Sequence, residues 1–486
     1  MNERITPLAI DKKLFKQIGY RLVDDIAEFF DTIQQRPVTT GESPKQIQAL
    51  LHQTSLPQNG MPVNELFTNA TALLLNHSLF NGHPKFFGYI TSSPAPAGAL
   101  ADMLAAAVNP NVGAHILSPM ATAIEKQTIQ WLAEFIGVPT SYGGLLVSGG
   151  NMANFTCFLV ARTIKAPKSI KEDGINNDVQ KLTVYCPKTT HTWIEKAAVL
   201  FGLGTKSIRW IDVDNNNKMK NDILEKMIDD DKQNGFTPLI VIGTAGDVST
   251  GAVDDLKSIA TICKKHDLWF HVDGAYGIPA AVVPGMQSLF DGIQEADSIA
   301  LDPHKWLYSP LEAGCALVKN PNHLTETYSS HPVYYNFSNN DEPATLNYYE
   351  YGLQNSRGFR ALKVWINLQY VGRSGYEKMI SDDIKLSKLL YVLAHEHEEL
   401  EAISQNLSIA TFRYIPPEID KEDNDALNKL NEALLNALQH NGEAFLSNAV
   451  VNGKYCLRAC IVNFRTTEQD IHELAEIVVK TGRKLR

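Results

Sequence analysis

The sequence lacks the features that mark membrane, secreted and nucleic-acid-binding proteins. No uncharged stretch reaches the roughly 18 apolar residues that a membrane-spanning helix needs, and the N-terminal segment MNERITPLAIDKKLFKQ has no apolar core of a signal peptide. The 6 cysteines are scattered without a CxxC pair, which is typical of reduced thiols rather than of a disulfide framework. Lysine and arginine form no basic run and the net charge is −10, so neither nucleic acid nor a membrane is an expected partner. We therefore expect a soluble, cytoplasmic protein.

The composition is otherwise that of a globular protein, with 44% apolar and 20% charged residues. A chain of 486 residues is long enough for two or three domains. Apolar residues recur at helical spacing over 12–36, and a second helical stretch covers 63–80. Because two helices cannot bury their apolar faces on each other alone, residues 1–85 are predicted to form an N-terminal helical arm that clamps onto another subunit or onto the main domain.

Two further regions are predicted from the order of strands and helices. Over residues 86–360, short and almost wholly apolar strands alternate with helices, which favours a mostly parallel sheet with helices on both faces. One of these helices is expected over 254–266, with Asp254 as its N-cap. Residues 361–486 begin with long helices and continue with a strand over 407–414, further short strands and two more helices. We therefore predict a large α/β domain over 86–360 and a small C-terminal α+β domain over 361–486.

The segment DSIALDPHKW places a lysine at the end of a buried strand. The apolar run Ile299–Leu301 predicts the strand, and Pro303 ends it because proline cannot donate to a sheet ladder. His304 and Lys305 follow at the carboxyl end, where open α/β sheets bind their ligands. Most lysines near strand ends are solvated surface residues, but burial and cationic neighbours can turn such a lysine into a nucleophile that forms Schiff bases.

Four further features fall at strand ends or at the start of a helix. Gly149-Gly150-Asn151 would let backbone amides approach an anion at a helix N-terminus. Thr244 and Asp273 end strands, and His191 follows a strand after a short loop. Taken singly, each feature has an ordinary structural explanation. Together with the lysine they provide what pyridoxal 5′-phosphate needs, with Asp273 holding the charge of the ring nitrogen and the small Ala275 lying against the ring.

The chain also resembles a known family, the group II pyridoxal-phosphate-dependent amino-acid decarboxylases that act on aromatic amino acids, histidine or glutamate. The resemblance extends from the N-terminal helices to at least residue 370. It is carried by HPKFFGYITSS, LADMLAAAVN, SPMATAIEKQTIQWL, THTWIEKAA, HVDGAYG, DPHKWLYSP and SRGFRALKVW. The resemblance implies fold type I of the pyridoxal-phosphate enzymes, decarboxylation of an L-amino acid to an amine and CO₂, and an obligate homodimer with its active sites at the interface.

The resemblance also implies a role for each matching residue. The predicted cofactor-binding residues are Gly149, Gly150 and Asn151 at the phosphate, His191 and Ala275 on the two faces of the ring, Thr244 near the ring, Asp273 on the ring nitrogen, Asp302 and His304 near the phosphate, and Lys305 as the Schiff-base lysine. Lys305, His191 and Tyr334 are the predicted catalytic residues. Tyr334 lies in the segment SSHPVYYNF, which resembles the family's mobile loop, and would return a proton to the carbon that loses CO₂. No metal site is predicted.

The substrate pocket departs from the family pattern. Tyr89, Ile90, Thr91 and Ala114 are the predicted substrate-binding residues, and Ala114 and Ile90 stand where the aromatic-amino-acid enzymes have aromatic side chains. Asp302 stands where those enzymes usually have asparagine near the phosphate, and one anion beside another is unfavourable unless a donor meets its charge.

These departures leave several functions open. An aromatic amino acid is the favoured substrate, and an acidic or small amino acid is the alternative. An aldehyde synthase or an aminotransferase is a second class, although the family's aldehyde producers have phenylalanine in place of the tyrosine at position 334. A non-catalytic relative is a third class, which the presence of Lys305, Asp273 and Tyr334 disfavours.

Overall fold

The computed structural model describes residues 6–51, 55–167, 170–175, 181–330 and 346–485. In this part of the chain the helices are α1 (Lys12–Thr32), α2 (Pro44–Ala49), α3 (Val63–Asn76), α4 (Pro96–Val108), α5 (Pro119–Phe135), α6 (Gly150–Lys165), α7 (Ile170–Asp173), α8 (Trp193–Leu200), α9 (Asn221–Gln233), α10 (Leu256–His266), α11 (Asn322–Tyr328), α12 (Ala361–Glu396), α13 (Asn424–Asn441) and α14 (Glu468–Arg483). The strands are β1 (Gly143–Val147), β2 (Leu182–Pro187), β3 (Ile208–Ile211), β4 (Thr237–Thr244), β5 (Trp269–Asp273), β6 (Ser298–Leu301), β7 (Gly314–Val318), β8 (Leu400–Asn406), β9 (Ile409–Tyr414), β10 (Ser447–Val451) and β11 (Lys454–Cys460).

The larger sheet has seven strands in the order β1-β7-β6-β5-β4-β2-β3. The pairs from β6 to β3 are parallel, and β7 runs antiparallel to both of its neighbours. β2, β5, β6 and β7 are buried along their whole length, as strands covered on both faces must be. The predicted mostly parallel sheet is therefore confirmed, with β7 as its one reversed strand among the described residues.

Helices cover both faces of this sheet. Successive side chains of a strand point to opposite faces, and β4 shows this clearly: Ile240 and Ile242 pack in the cluster that contains Phe158 of α6 and Trp193 of α8. Val241, between them, packs in the other cluster, with the side chains of α5, α10 and α12. The sheet therefore lies between two helical layers, and the carboxyl ends of its parallel strands meet at one edge.

The smaller sheet has four antiparallel strands in the order β10-β11-β9-β8, covered by α12, α13 and α14. It contains a strand that the sequence did not reveal. One strand was expected over 407–414, but the chain forms a hairpin of β8 and β9 that turns at Leu407, whose φ is +48°. β8 escaped notice because six of its seven residues are only half-buried and carry no clear apolar alternation.

The start of α10 differs by one residue from the expectation. Asp255, not Asp254, caps the helix by accepting a hydrogen bond from the Ser258 amide at 3.0 Å. Asp254 is buried and accepts hydrogen bonds from the amides of Met219 (2.6 Å) and Thr244 (2.8 Å). Its burial raises the pKa of its carboxyl to about 7. Asp254 therefore fixes the end of β4 rather than the start of the helix.

None of the helices in the described ranges combines the length and the apolarity needed to cross a bilayer.

A buried ion pair holds the end of β1. Glu125 of α5 and Arg357 are almost wholly buried, and Arg357 Nη2 lies 2.5 Å from Glu125 Oε1. Glu125 Oε1 accepts a hydrogen bond from the amide of Leu146 (2.8 Å), and Arg357 Nη2 donates one to the carbonyl of Leu146 (2.6 Å). Since Leu146 lies three residues before Gly149, the pair fixes the strand from which the glycine segment emerges.

We expect Glu125→Gln to lower the free energy of unfolding by about 3 kcal/mol, because it leaves a buried guanidinium without its counter-ion. Urea denaturation measures this change. Glu134→Gln, at an exposed position of the same helix, is the control and should change the free energy by less than about 0.5 kcal/mol. Equal effects of the two substitutions would contradict the role assigned to the pair.

Candidate active site

The strand ends enclose one large cavity of about 940 Å³. The residues that line it come from the large sheet, from a segment before α4 and from the small sheet. They are Tyr89, Ile90, Thr91, Ser148, Gly149, Gly150, Asn151, Met152, Asn154, Thr189, His191, Trp193, Thr244, Gly246, Val248, Ser249, Asp273, Ala275, Tyr276, Asp302, His304, Lys305, Leu311, Glu312, Ser447, Asn448 and Arg458. Every predicted cofactor-binding residue is in this set. Doubly wound sheets bind their ligands at this edge.

The glycine segment forms a close-fitting cradle at the N-terminus of α6. Gly149 has a φ of +146°, which favours glycine, and a side-chain carbon there would lie 3.2 Å from Cε1 of His304. At Gly150 a side-chain carbon would lie 2.6 Å from Oδ2 of Asp302. The two glycines therefore allow His304 and Asp302 to pack closely against the start of α6. The positive end of the helix dipole at this point favours an anion.

Asp273 is buried at the end of β5 and is held in place by an indole. Trp193 Nε1 donates a hydrogen bond to Oδ2 of Asp273 at 2.7 Å. The amide of Ala275 donates to Oδ1 at 3.2 Å. Both carboxylate oxygens therefore have a donor, and the carboxylate points where a ring nitrogen with a proton could meet it.

His191 lines the cavity and is exposed in the single chain. Partial burial of the ring lowers the pKa of His191, against the opposing effect of Asp273. The amide of Trp193 donates to Nδ1 of His191 at 3.3 Å. His191 is thus a neutral ring at neutral pH, with an unprotonated Nδ1, and is suited to stack on a flat ligand.

Lys305 reaches the cavity from the loop after β6. Its Nζ lies 3.1 Å from Oδ2 of Asp302. His304 Nδ1 lies 2.8 Å from the carbonyl oxygen and 3.2 Å from the amide nitrogen of Ala313, and burial lowers the pKa of His304. Lys305 is thus paired with a carboxylate and lies beside a neutral imidazole.

The predicted substrate residues are only partly brought together. Tyr89, Ile90 and Thr91 line the cavity. Ala114 does not: it is buried and caps a short turn at His115–Leu117, so one chain alone does not bring it to this cavity. Tyr334 lies outside the described residues.

Two residues of the cavity wall were missed at the sequence level. Trp193 stands two residues after His191 in the motif THTWIEKAA, and only that spacing hinted at a role. Arg458 comes from β11 of the small sheet, and nothing in its local sequence distinguishes it. Its Nη1 donates to the carbonyl of Tyr89 (3.1 Å) and to Ser447 Oγ (2.9 Å). Its Nε and Nη2 are buried and have no partner among the described residues.

Comparison with known proteins identifies the family. Residues 44–415 match the model of the pyridoxal-dependent decarboxylase conserved domain, and residues 393–486 match that of the PDXDC1-like second central domain. The chain belongs to the pyridoxal-dependent decarboxylase family. It is therefore a pyridoxal-phosphate-dependent amino-acid decarboxylase, a carboxy-lyase, and pyridoxal phosphate is its cofactor.

Relatives and solved structures cover nearly the whole chain. It is 33% identical over 479 residues to the aromatic-L-amino-acid decarboxylase of Bacillus atrophaeus, which covers 97% of this chain and 96% of that protein. It is 30% identical over 468 residues to the phenylacetaldehyde synthase of Petunia hybrida, covering 94% and 92%. The crystal structure of Oryza sativa TDC with PLP and tryptamine superimposes with a TM-score of 0.91 at 24% identity, covering 99% of each chain. These likenesses confirm the predicted family and the fold type I architecture.

The residues of the cavity fit this cofactor. The glycine cradle offers backbone amides to a phosphate, and the fixed carboxylate of Asp273 suits a protonated ring nitrogen. Thr244 Oγ1 is a buried polar atom at the cavity that has no hydrogen-bond partner among the described residues. Such an atom is unusual in a folded protein unless a ligand or water meets it.

We expect Trp193→Phe to weaken the binding of pyridoxal phosphate about tenfold or more, since a hydrogen bond to a charged group contributes roughly 1.5–3 kcal/mol. The substitution removes the donor to Asp273 and keeps an apolar ring in place. Cofactor titration followed by absorbance measures the change.

Trp269→Phe is the matched control for that substitution. It removes another buried indole hydrogen bond, from Nε1 to Ser298 Oγ at 2.8 Å, but it touches neither Asp273 nor the cavity. Its cofactor affinity should stay within about twofold of the wild type. An unchanged affinity in Trp193→Phe would show that Asp273 does not depend on the indole.

Proposed function

We propose that this enzyme decarboxylates an aromatic L-amino acid to the corresponding amine and CO₂. The observation that carries the proposal is the meeting, in one cavity, of Lys305, the fixed carboxylate of Asp273 and the glycine cradle at α6. The aromatic-L-amino-acid decarboxylase of Bacillus atrophaeus supports the choice of substrate, and so do the apolar wall residues Ile90, Val248 and Leu311, which suit a flat apolar side chain.

We assign a separate role in this reaction to each of several residues of the protein. When bound, pyridoxal phosphate accepts the electron pair of the breaking carbon–carboxyl bond into its conjugated ring. Lys305 is proposed to hold the cofactor's aldehyde carbon, and Gly149–Asn151 its phosphate. Asp273 keeps a proton on the ring nitrogen, since a fixed anion stabilises the charged form. His191 covers one face of the ring, and Ala275 leaves room on the other.

The residue that we propose as the proton donor lies outside the described part of the chain. Tyr334 is proposed to return a proton to the carbon that loses its carboxyl group, by general acid catalysis. A proton supplied there yields an amine. The similarity to a phenylacetaldehyde synthase keeps aldehyde formation as the competing outcome.

A second substrate class has its own support in Arg458. Arg458 is 2% exposed and lines the cavity beside Tyr89, and its Nε and Nη2 have no hydrogen-bond partner among the described residues. Arginine recognises carboxylates through paired hydrogen bonds, and a buried guanidinium without a counter-ion is costly. An acidic amino acid, whose side-chain carboxylate could meet Arg458, is therefore the alternative substrate.

A panel of L-amino acids separates these functions. Purified enzyme with pyridoxal phosphate is supplied with aromatic, acidic and small amino acids, and mass spectrometry follows amine, aldehyde and CO₂ together. We expect an amine from at least one aromatic substrate, and no turnover by Lys305→Ala. Lys257→Ala, at an exposed position of α10, is the control and should retain wild-type turnover.

The other outcomes each contradict part of the proposal. Amine formed only from acidic substrates would support decarboxylation but would contradict the aromatic substrate and assign the specificity to Arg458. Aldehyde without amine would assign the chain to the aldehyde synthases. Full turnover by Lys305→Ala would show that the lysine does not have its proposed role.

We further propose that the enzyme is a homodimer formed through its N-terminal helices. Large apolar side chains are exposed on one helix after another in this region: Phe15, Tyr20 and Val23 on α1, Leu66, Phe67 and Leu74 on α3, and Leu100, Met103, Leu104 and Val108 on α4. A patch of this extent usually marks a protein–protein interface. The opposite side of α4 packs on α12, so the apolar side remains available to a second copy of the chain.

Sedimentation analysis tests the dimer. We expect the wild type to sediment as a dimer at micromolar concentration and Leu104→Glu to sediment as a monomer, since a charge buried in an apolar interface is strongly unfavourable. Val450→Glu, at an equally exposed apolar position of the small sheet, should leave the dimer intact. A monomeric wild type would contradict the proposal.

A further inference from the structure

The carboxylate of Asp302 is buried at the start of α6, next to the proposed phosphate site. Its side chain is 1% exposed, and it follows the last residue of β6. Oδ2 would touch any side-chain carbon at Gly150, at 2.6 Å. The carboxylate thus lies against the N-terminal turn of α6, where the helix dipole favours an anion. Among the described residues, its oxygens accept no hydrogen bond from the amides of that turn, so those amides stay available to a ligand.

The partners of this carboxylate are few. Oδ2 pairs with Lys305 Nζ at 3.1 Å and lies 3.8 Å from His304 Nε2. Oδ1 is buried and has no hydrogen-bond partner among the described residues. The charge of Asp302 is therefore balanced mainly by the Lys305 ammonium and by the helix terminus.

The other titratable groups near Asp302 supply no positive charge at neutral pH. Burial lowers the pKa of His304 and of His191, so both imidazoles are neutral near pH 7. Burial raises the pKa of Cys315, which keeps that thiol neutral. Asp273, which also faces His191, is a second acid. No further cation in the described chain is recorded within ion-pairing distance of Asp302.

Cofactor binding would compete for both of the groups that balance Asp302. The phosphate would take up the helix terminus, and the aldehyde carbon would bond to the amine of Lys305. The buried Asp302 carboxylate would then face a phosphate dianion at short range, where like charges repel strongly. An asparagine of the same shape would face no such repulsion and could donate a hydrogen bond to the phosphate.

We propose that Asp302 is an internal competitor of the cofactor's phosphate. In the cofactor-free protein it holds Lys305 in an ion pair, and in the loaded protein it weakens the hold on the phosphate, so that this enzyme releases and rebinds pyridoxal phosphate readily. The inference rests on the proposed placement of the phosphate at Gly149–Asn151 and of the aldehyde at Lys305.

Asp302→Asn tests this inference through cofactor affinity rather than through activity. Affinity is measured by tryptophan fluorescence with pyridoxal phosphate and, separately, with pyridoxal, which has the aldehyde but no phosphate. We expect the variant to bind pyridoxal phosphate about tenfold or more tightly than the wild type, since like-charge contacts are strongly unfavourable. For pyridoxal the gain should stay below about threefold, because no phosphate is repelled.

Thermal unfolding provides a second measurement, in which the substitution should have opposite effects on the unfolding temperature without and with cofactor. Without cofactor, Asp302→Asn should unfold at a lower temperature than the wild type, because Lys305 loses its partner. With saturating pyridoxal phosphate the variant should gain more in unfolding temperature than the wild type gains, because tighter binding stabilises the folded state further. A merely structural defect would lower both temperatures by a similar amount and leave the affinity unimproved.

Asp297→Asn is the control for the loss of one negative charge. Asp297 immediately precedes β6, at the opposite end of the same strand, and accepts a hydrogen bond from the amide of Phe270 at 2.8 Å. Its substitution should leave the affinity for pyridoxal phosphate within about twofold of the wild type. An equal gain in both variants would show a general charge effect and overturn the role of Asp302.

Other results overturn the inference in distinguishable ways. An unchanged or weaker affinity of Asp302→Asn for pyridoxal phosphate refutes the competition, and so does an equal gain for pyridoxal, which would trace the effect to the lysine alone. If Lys305→Ala still bound the cofactor covalently, as judged by absorbance and mass, the proposed site would fail and this inference with it. If covalent binding needs Lys305 but Asp302→Asn binds no more tightly, only the inference fails.

Discussion

The parallel alignment of β2, β4, β5 and β6 is the constraint on which the rest of the molecule depends. Parallel strands end at the same edge of a sheet, so residues far apart in the chain meet there once the sheet forms. Asp273 and Thr244 are terminal residues of neighbouring strands and stand opposite each other in the pairing of β4 with β5. The two helical layers then bury the strands and leave polar side chains at this edge, where they line a cavity of about 940 Å³. A change that weakened the burial of the sheet would therefore disturb every functional group at once.

The chemistry of the cavity is set by how its charges are paired. Asp273 has two donors and is fixed before any ligand arrives, which suits a group that must hold a proton on a cofactor ring. Lys305 and Asp302 form an ion pair with each other, which holds the lysine amine at the cavity. The glycine cradle adds no charge of its own and relies on the helix dipole. The site therefore combines a carboxylate fixed by two donors with a lysine–carboxylate ion pair.

The small sheet and the segment before α4 complete the wall of the cavity that lies at the edge of the large sheet. Arg458 on β11 reaches the carbonyl of Tyr89, so the small sheet and the segment before α4 form one wall of the cavity. Phe87 continues this connection through backbone hydrogen bonds to Phe445 and Cys460. The cavity wall is thus formed by residues from three separate parts of the chain. A single motif therefore does not reveal its composition.

The sequence by itself determined the strands of the large sheet, the helices that alternate with them and the residues at the strand ends, because apolar periodicity and the stops at proline and glycine are local properties of the chain. From these, the parallel sheet and the convergence of Gly149, His191, Asp273 and Lys305 followed. Only the tertiary structure decided which side chains touch. The Trp193 bond to Asp273, the pairing of Asp302 with Lys305 rather than its being turned away, the position of Arg458 and the separation of Ala114 from the cavity all depend on how distant elements pack. Local periodicity carries no information on such contacts, since the same pattern is compatible with many side-chain arrangements.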